Sequence, residues 1–273
     1  MKLRVDPSAT PLAAEWERLR ETALRRGPTV TLSPAPIDVR RFRPRAVDAM
    51  RAAWSRRAID EHRSATVFSG LLPQLIEAEL PIDVLAVALR MAMDELHHGA
   101  LSFAVARALG AEAELEIDDA SEAPAAHRDA TPRVRALRNV LYASCISETV
   151  SVALTAAERE RTDEPYVREV LDQLFADETL HARFGWICVA LMVPRLEPTE
   201  RAEVDAYLPY ALTHHERAIA SRLVGGAGLD ALEREDCARL GGLDPDEARA
   251  VLFDTTRDVI AQRLRELGLG RAE

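Results

Sequence analysis

Two segments, Asp94-Glu95-Leu96-His97-His98 and Asp177-Glu178-Thr179-Leu180-His181, share the frame Asp-Glu-x-x-His, which occurs nowhere else in the 273 residues. On a helix, a Glu and a His three positions apart lie about 60° apart around the axis and within one turn of each other. A carboxylate oxygen and an imidazole nitrogen can then close on one cation. This mixed O/N donor set suits first-row transition metals. Two frames predict two metal ions.

The partners of these frames follow from helical geometry. A di-iron carboxylate site in a four-helix bundle takes a Glu-x-x-His from each of two helices and a single Glu from each of the other two. In a helical hairpin, residues at equal height are equidistant from the turn. Glu148 and Glu178 straddle Asp163, within the polar run Glu160-Arg161-Thr162-Asp163-Glu164-Pro165. Glu61 and Glu95 straddle Ala78, with Pro81 just beyond. Proline is favoured at the first position of a new helix, so both midpoints read as turns. Glu77 and Glu79 are too close to the turn to reach the height of Glu95. The expected ligand set is therefore Glu61, Glu95, His98, Glu148, Glu178 and His181. It is an internal repeat: lone Glu, turn, Asp-Glu-x-x-His, twice.

On these six positions, residues 46–193 resemble the ferritin-like superfamily and, within it, the non-haem di-iron oxygenases and oxidases. In soluble methane monooxygenase and its relatives an Asp also precedes each motif Glu and accepts a hydrogen bond from the metal-bound His of the opposite helix pair. The resemblance implies that Asp177 orients His98 and Asp94 orients His181, as is usual for a ligating imidazole. It implies an all-α, ferritin-like four-helix bundle holding two Fe ions, with Mn/Fe or Mn/Mn as alternatives, and O2 as co-substrate. The implied activity is hydroxylation or N-oxygenation of a small organic substrate, as in bacterial biosynthetic tailoring, with electrons from an external ferredoxin or flavoprotein reductase. A ferroxidase or peroxide scavenger without an organic substrate is the alternative. Relatives also hold a hydroxyl near the position of Ser151, which would then hydrogen-bond bound oxygen or steer protons.

Departures narrow the resemblance. Ferritins generally lack the second Glu-x-x-His, and the chain has no Cys-x-x-Cys pair of the rubrerythrin kind. The radical Tyr of ribonucleotide reductase small subunits would fall on Ser102. The additional His of p-aminobenzoate N-oxygenases would fall on Leu174.

The remaining sequence must position these residues. Hydrophobic residues make up 48% of the chain and glycines number only 12, as suits one all-α domain over 1–273. The net charge of −10 disfavours nucleic acid and anionic membranes as partners. No run of 18 apolar residues predicts a membrane span. The first residues lack the apolar stretch of a secretory signal. Cys145, Cys188 and Cys237 are odd in number and scattered, which predicts reduced thiols in a cytoplasmic protein.

Expected helices cover 11–26, 46–78 (kinked at Gly70 or Pro73), 81–109, 132–161, 165–193, 197–224 and 244–268. A loop is expected over 27–45 and an acidic crossover over 111–131. Residues 194–273 form a helical extension that covers the bundle or makes a homodimer interface. Gly99, Ser102, Ser144 and Ala65 line the centre, leaving a cavity or permitting close packing. Phe68, Phe103, Phe184 and Trp186 form core or pocket wall. His62 and His97 turn away from the ligands, and His214 and His215 lie outside the repeat.

Overall fold

A computed structural model describes residues 2–3, 30–33, 37–116, 123–222 and 228–270. The expected helix over 11–26, parts of the 27–45 loop and of the crossover, and the end of the expected 197–224 helix lie outside the described residues. The described chain is all-α apart from a two-residue antiparallel pairing of β1 (Lys2–Leu3) with β2 (Leu115–Glu116).

Four long helices carry the candidate ligands. Helix α1 spans Pro44–Glu77 and α2 spans Ile82–Ala108. Helix α3 runs without a break over Pro132–Arg161, and α4 spans Pro165–Met192. Proline opens α1, α3 and α4, where its missing N–H is no loss. Thr131 caps α3 by accepting from the Val134 amide. The turns fall at Ala78 and at 162–164, at the midpoints expected from ligand spacing. Helices α1 and α2 pack as one hairpin, α3 and α4 as another, and α1 on α3 and α2 on α4 join the two.

The structure corrects several local expectations. Helix α1 begins at Pro44, inside the expected loop, and stays helical through Pro73. Helix α3 contains a π-helical segment, Leu141–Ser147, directly before Glu148. That helix is also long and apolar enough to cross a membrane, which a search for uninterrupted apolar runs does not detect. It carries Glu148, and buries Leu137, Leu141 and Ile146 in the core.

Beyond α4, α5 covers Pro198–Arg222. A short α6, Ala231–Arg239, was not expected, although Asp230 and Glu233 form a capping box at its start. The final helix α7 comprises Pro245–Asp254, a π-helical Thr255–Ile260 and Ala261–Glu266, and is capped by Asp244.

The apolar core divides into two clusters. One contains Phe68, Leu71, Met91, Leu137, Ile146 and Val189; the other contains Trp54, Ala58, Leu101, Val105, Val170 and Leu174. On α1, α2 and α4 the candidate ligands fall in the gap where the sequence passes from one cluster to the other. Glu61 lies between Ala58 and Phe68, Glu95 and His98 between Met91 and Leu101, and Glu178 and His181 between Leu174 and Phe184. The carboxylate–imidazole layer is thus held between two apolar cores, where charge without a counter-charge is costly.

Candidate metal centre

All six expected ligands come together. Glu61, Glu95, His98 and Glu178 form one group, and Glu95, Glu148, Glu178 and His181 a second; within each, ligand atoms lie within 4.8 Å of one another. Glu95 and Glu178 belong to both. The two carboxylates preceding each motif His therefore stand between the two positions, while Glu61 with His98 and Glu148 with His181 stand at the ends.

The imidazoles show how the set is aimed. His181 Nδ1 lies 3.0 Å from Glu95 Oε1, 3.6 Å from Glu178 Oε2 and 4.0 Å from Glu148 Oε2. His98 Nδ1 lies 3.6 Å from both Glu95 Oε2 and Glu178 Oε1. The two ring centroids are 5.7 Å apart. On the far side of each ring, Nε2 faces the Asp of the other hairpin: His98 to Asp177 Oδ2 at 3.3 Å, and His181 to Asp94 Oδ2 at 3.4 Å. A proton held on Nε2 by the Asp leaves the Nδ1 lone pair for a metal.

Two residues that sequence reasoning missed hold these Asp side chains. Arg90 Nε donates to Asp94 Oδ2 at 3.2 Å, and Gln173 Nε2 donates to Asp177 Oδ2 at 2.6 Å. Each stands four residues before its Asp, one helical turn away. Reading the repeat one turn further back would have found both. They differ in charge, so Asp94 is shared with a cation and Asp177 with a neutral amide.

Burial is nearly complete. His98 and His181 have no exposed surface, Glu95 is 1% exposed and Glu178 2%. Glu61 is partly buried and marks the more open side. Both oxygens of Glu95, Oε2 of Glu178 and the Nδ1 atoms of His98 and His181 are buried without a hydrogen-bond partner. Buried polar atoms are normally paired, and these five converge on one space. They fit a pair of cations in number, donor type and direction.

The protonation pattern supports that fit. Burial, followed by repulsion from Glu95 and Glu178, pushes Glu61 and Glu148 well above the usual carboxylate range. Burial also opposes charge on Glu95 and Glu178, but contacts with His181 and His98 lower Glu95, and contacts with Glu148 and His181 hold Glu178 down at about 2. Burial disfavours the imidazolium of both rings, yet the surrounding Asp and Glu carboxylates raise both well above the ordinary histidine value. These directions favour a metal-free cluster of little net charge.

No protein-family model and no curated protein matches this sequence. The centre is therefore read from its own geometry: a helical protein with a buried carboxylate/His cluster that could hold metal ions.

The other expected residues fall out as follows. Ser151 is partly buried, one turn after Glu148, and belongs to neither ligand group. Ser144 donates to the His181 carbonyl at 2.7 Å, and a Cβ on Gly99 would meet the Ala58 carbonyl oxygen at 3.4 Å, an ordinary contact. Ser102 Oγ is buried without a partner among the described residues. Phe68 tilts over His181, ring centroids 5.7 Å apart, as part of the buried core. Phe103 and Phe184 are core, and Trp186 donates to Thr149. Cys145 and Cys188 are buried core thiols, both raised by burial. His97 is buried and His62 partly so, outside both ligand groups. His214 meets the Tyr142 hydroxyl at 2.9 Å, and His215 is packed inside.

Proposed function

We propose that this protein is a ferritin-like, non-haem di-iron carboxylate oxygenase that uses O2 to oxidise a small organic substrate. The reading is carried by one observation: two ligand groups that share Glu95 and Glu178, each with one further Glu and one His. Two ferrous ions held by Glu61, Glu95, His98, Glu148, Glu178 and His181 would supply the dioxygen chemistry, and manganese would suit the same donors.

The chain's own residues do the rest. Asp177 and Asp94 hold a proton on Nε2 of His98 and His181, fixing ring orientation and tautomer. The apolar clusters above and below exclude water and strengthen every charge interaction between them. Four carboxylates offset the charge of two divalent ions, and the outer pair, Glu61 and Glu148, can take up or release a proton as that charge changes. Ser151, one turn beyond Glu148, is offered as a group that steers protons. Electrons would come from an external ferredoxin or flavoprotein reductase.

The test is metal quantification by plasma mass spectrometry on protein produced with added iron, beside a Glu95→Ala/Glu178→Ala variant. Roughly two ions per wild-type chain, lost in the variant, is the expected result. Oxygen-electrode traces on anaerobically iron-loaded protein should then show O2 uptake that the variant lacks. Metal near zero in freshly isolated, unchelated wild type would sink the proposal.

A further inference from the structure

A cavity of about 390 Å³ opens between the first half of α1, the second half of α3 and the α6–α7 region. That volume lies within the range of small-molecule sites, roughly 300–1,000 Å³. Its apolar wall includes Met50, Trp54 and Leu154. Arg57 lines the inner side, where its Nη2 donates to both oxygens of Glu158, at 3.1 and 2.8 Å, and its guanidinium lies 5.0 Å from the Trp54 ring centroid. The lining acids are Glu158 and Asp244, and each already faces an arginine: Arg57 for the first, and Arg234, at 3.5 Å, for the second. Arg56, exposed at the rim, has no acidic partner among the described residues. The spare charge of the cavity is therefore positive, in a chain whose net charge is −10.

Helix geometry places the cavity relative to the metal centre. Arg57 precedes Glu61 by one turn, about 6 Å along α1, whereas Met50 lies about 16 Å from Glu61 on the same axis. Arg57 is thus the lining residue of α1 nearest to Glu61.

We propose that this cavity binds a small organic carboxylate, with the carboxylate at Arg56 and the apolar body against Trp54, Met50 and Leu154, and that this acid is the substrate of the metal centre. The second half of the proposal rests on the di-metal reading above. The Arg57–Glu158 pair is self-neutralised, so it forms a polar wall without competing for the ligand, while Arg56 supplies the unmatched charge.

Three probes of equal chain length test the site by isothermal titration calorimetry: octanoate, octanol and octylammonium. Octanoate should bind at least about tenfold more tightly than octanol, as expected for a charge-assisted hydrogen bond, and octylammonium should not bind measurably. Arg56→Glu, an exposed substitution, should reverse the preference. Ala53→Trp, also at an exposed lining position, should remove binding of octanoate and octanol. Equal binding of the three probes, or octanoate binding untouched by both variants, overturns the anion site. The link to the metal centre is read from octanoate proton linewidths with Mn(II)-loaded and Zn(II)-loaded protein. Broadening of the octanoate protons by Mn(II) beyond that seen with Zn(II) is expected; no such broadening in protein shown to contain Mn(II) overturns the substrate role. Protein that binds octanoate but takes up no Mn(II) overturns the di-metal reading and with it the substrate role, while the anion site stands.

Discussion

His98 Nε2 lies 3.3 Å from Asp177 Oδ2, so an imidazole on α2 is oriented by a carboxylate on α4. Replacing the carboxylate by an amide removes the charge that stabilises the Nε2 proton. Asp177→Asn should weaken metal binding at the His98 end by about 10–100-fold, measured by competition against a chromophoric chelator. Wild-type affinity in a folded variant would show that Asp177 does not set the ring.

The same logic extends one turn back. Arg90 neutralises Asp94, whereas Gln173 leaves the charge on Asp177. His98 therefore faces the stronger acceptor and should be the better donor. Stepwise metal titration should fill the His98 end first, and Arg90→Gln should narrow the gap between the two binding constants. Identical constants in wild type would contradict this asymmetry.

Sharing separates the roles of the four Glu ligands. Glu95 belongs to both ligand groups and Glu61 to one. Glu95→Ala should lose both ions, while Glu61→Ala should keep roughly one per chain, at the Glu148–His181 end. Equal losses in the two variants would mean that Glu95 is not shared.

The protonation pattern fixes the direction of the pH effects. His98 and His181 are raised above 6.5, so the stability they contribute is full below that value and lost as pH rises through their folded-state values. Glu61 and Glu148, raised above 4.5, act in the same direction. Glu95 and Glu178 are lowered, so their contribution is present above 4.5 and lost only as pH falls through their folded-state values, about 2 for Glu178. Metal-free protein should therefore melt highest between about pH 4.5 and 6.5 and lose Tm toward pH 8. Divalent metal should reverse that alkaline loss and release protons. Calorimetry and a pH-stat titration check these two outcomes. Proton release near zero would contradict the assigned states.

Gly185 tests how α3 meets α4. A Cβ there would sit 2.7 Å from Ser144 Cβ, 2.8 Å from the Ser144 carbonyl carbon and 2.9 Å from the Cys145 amide nitrogen. Two of these are backbone atoms that cannot turn aside. Gly185→Ala should cost about 1–3 kcal/mol and lower Tm by about 2–10 °C in a thermal melt. An unchanged Tm would mean the helices separate freely at this point.

The sequence by itself determined the candidate ligand types, their pairing within each hairpin and the two turn positions. These are consequences of helical repeat: three residues bring Glu95 to His98 and Glu178 to His181 on one face, and equal distance from a turn brings Glu61 level with Glu95. Tertiary structure decided which carboxylates are shared, since that depends on the relative height and rotation of four helices. Contacts such as Gly185 on Ser144 set those values, and no local period encodes them. The π-helical segment before Glu148 is of the same kind. Its extra residue per turn rotates the ligand relative to the preceding helix, and only the packing of α3 on α4 shows where that rotation points the carboxylate.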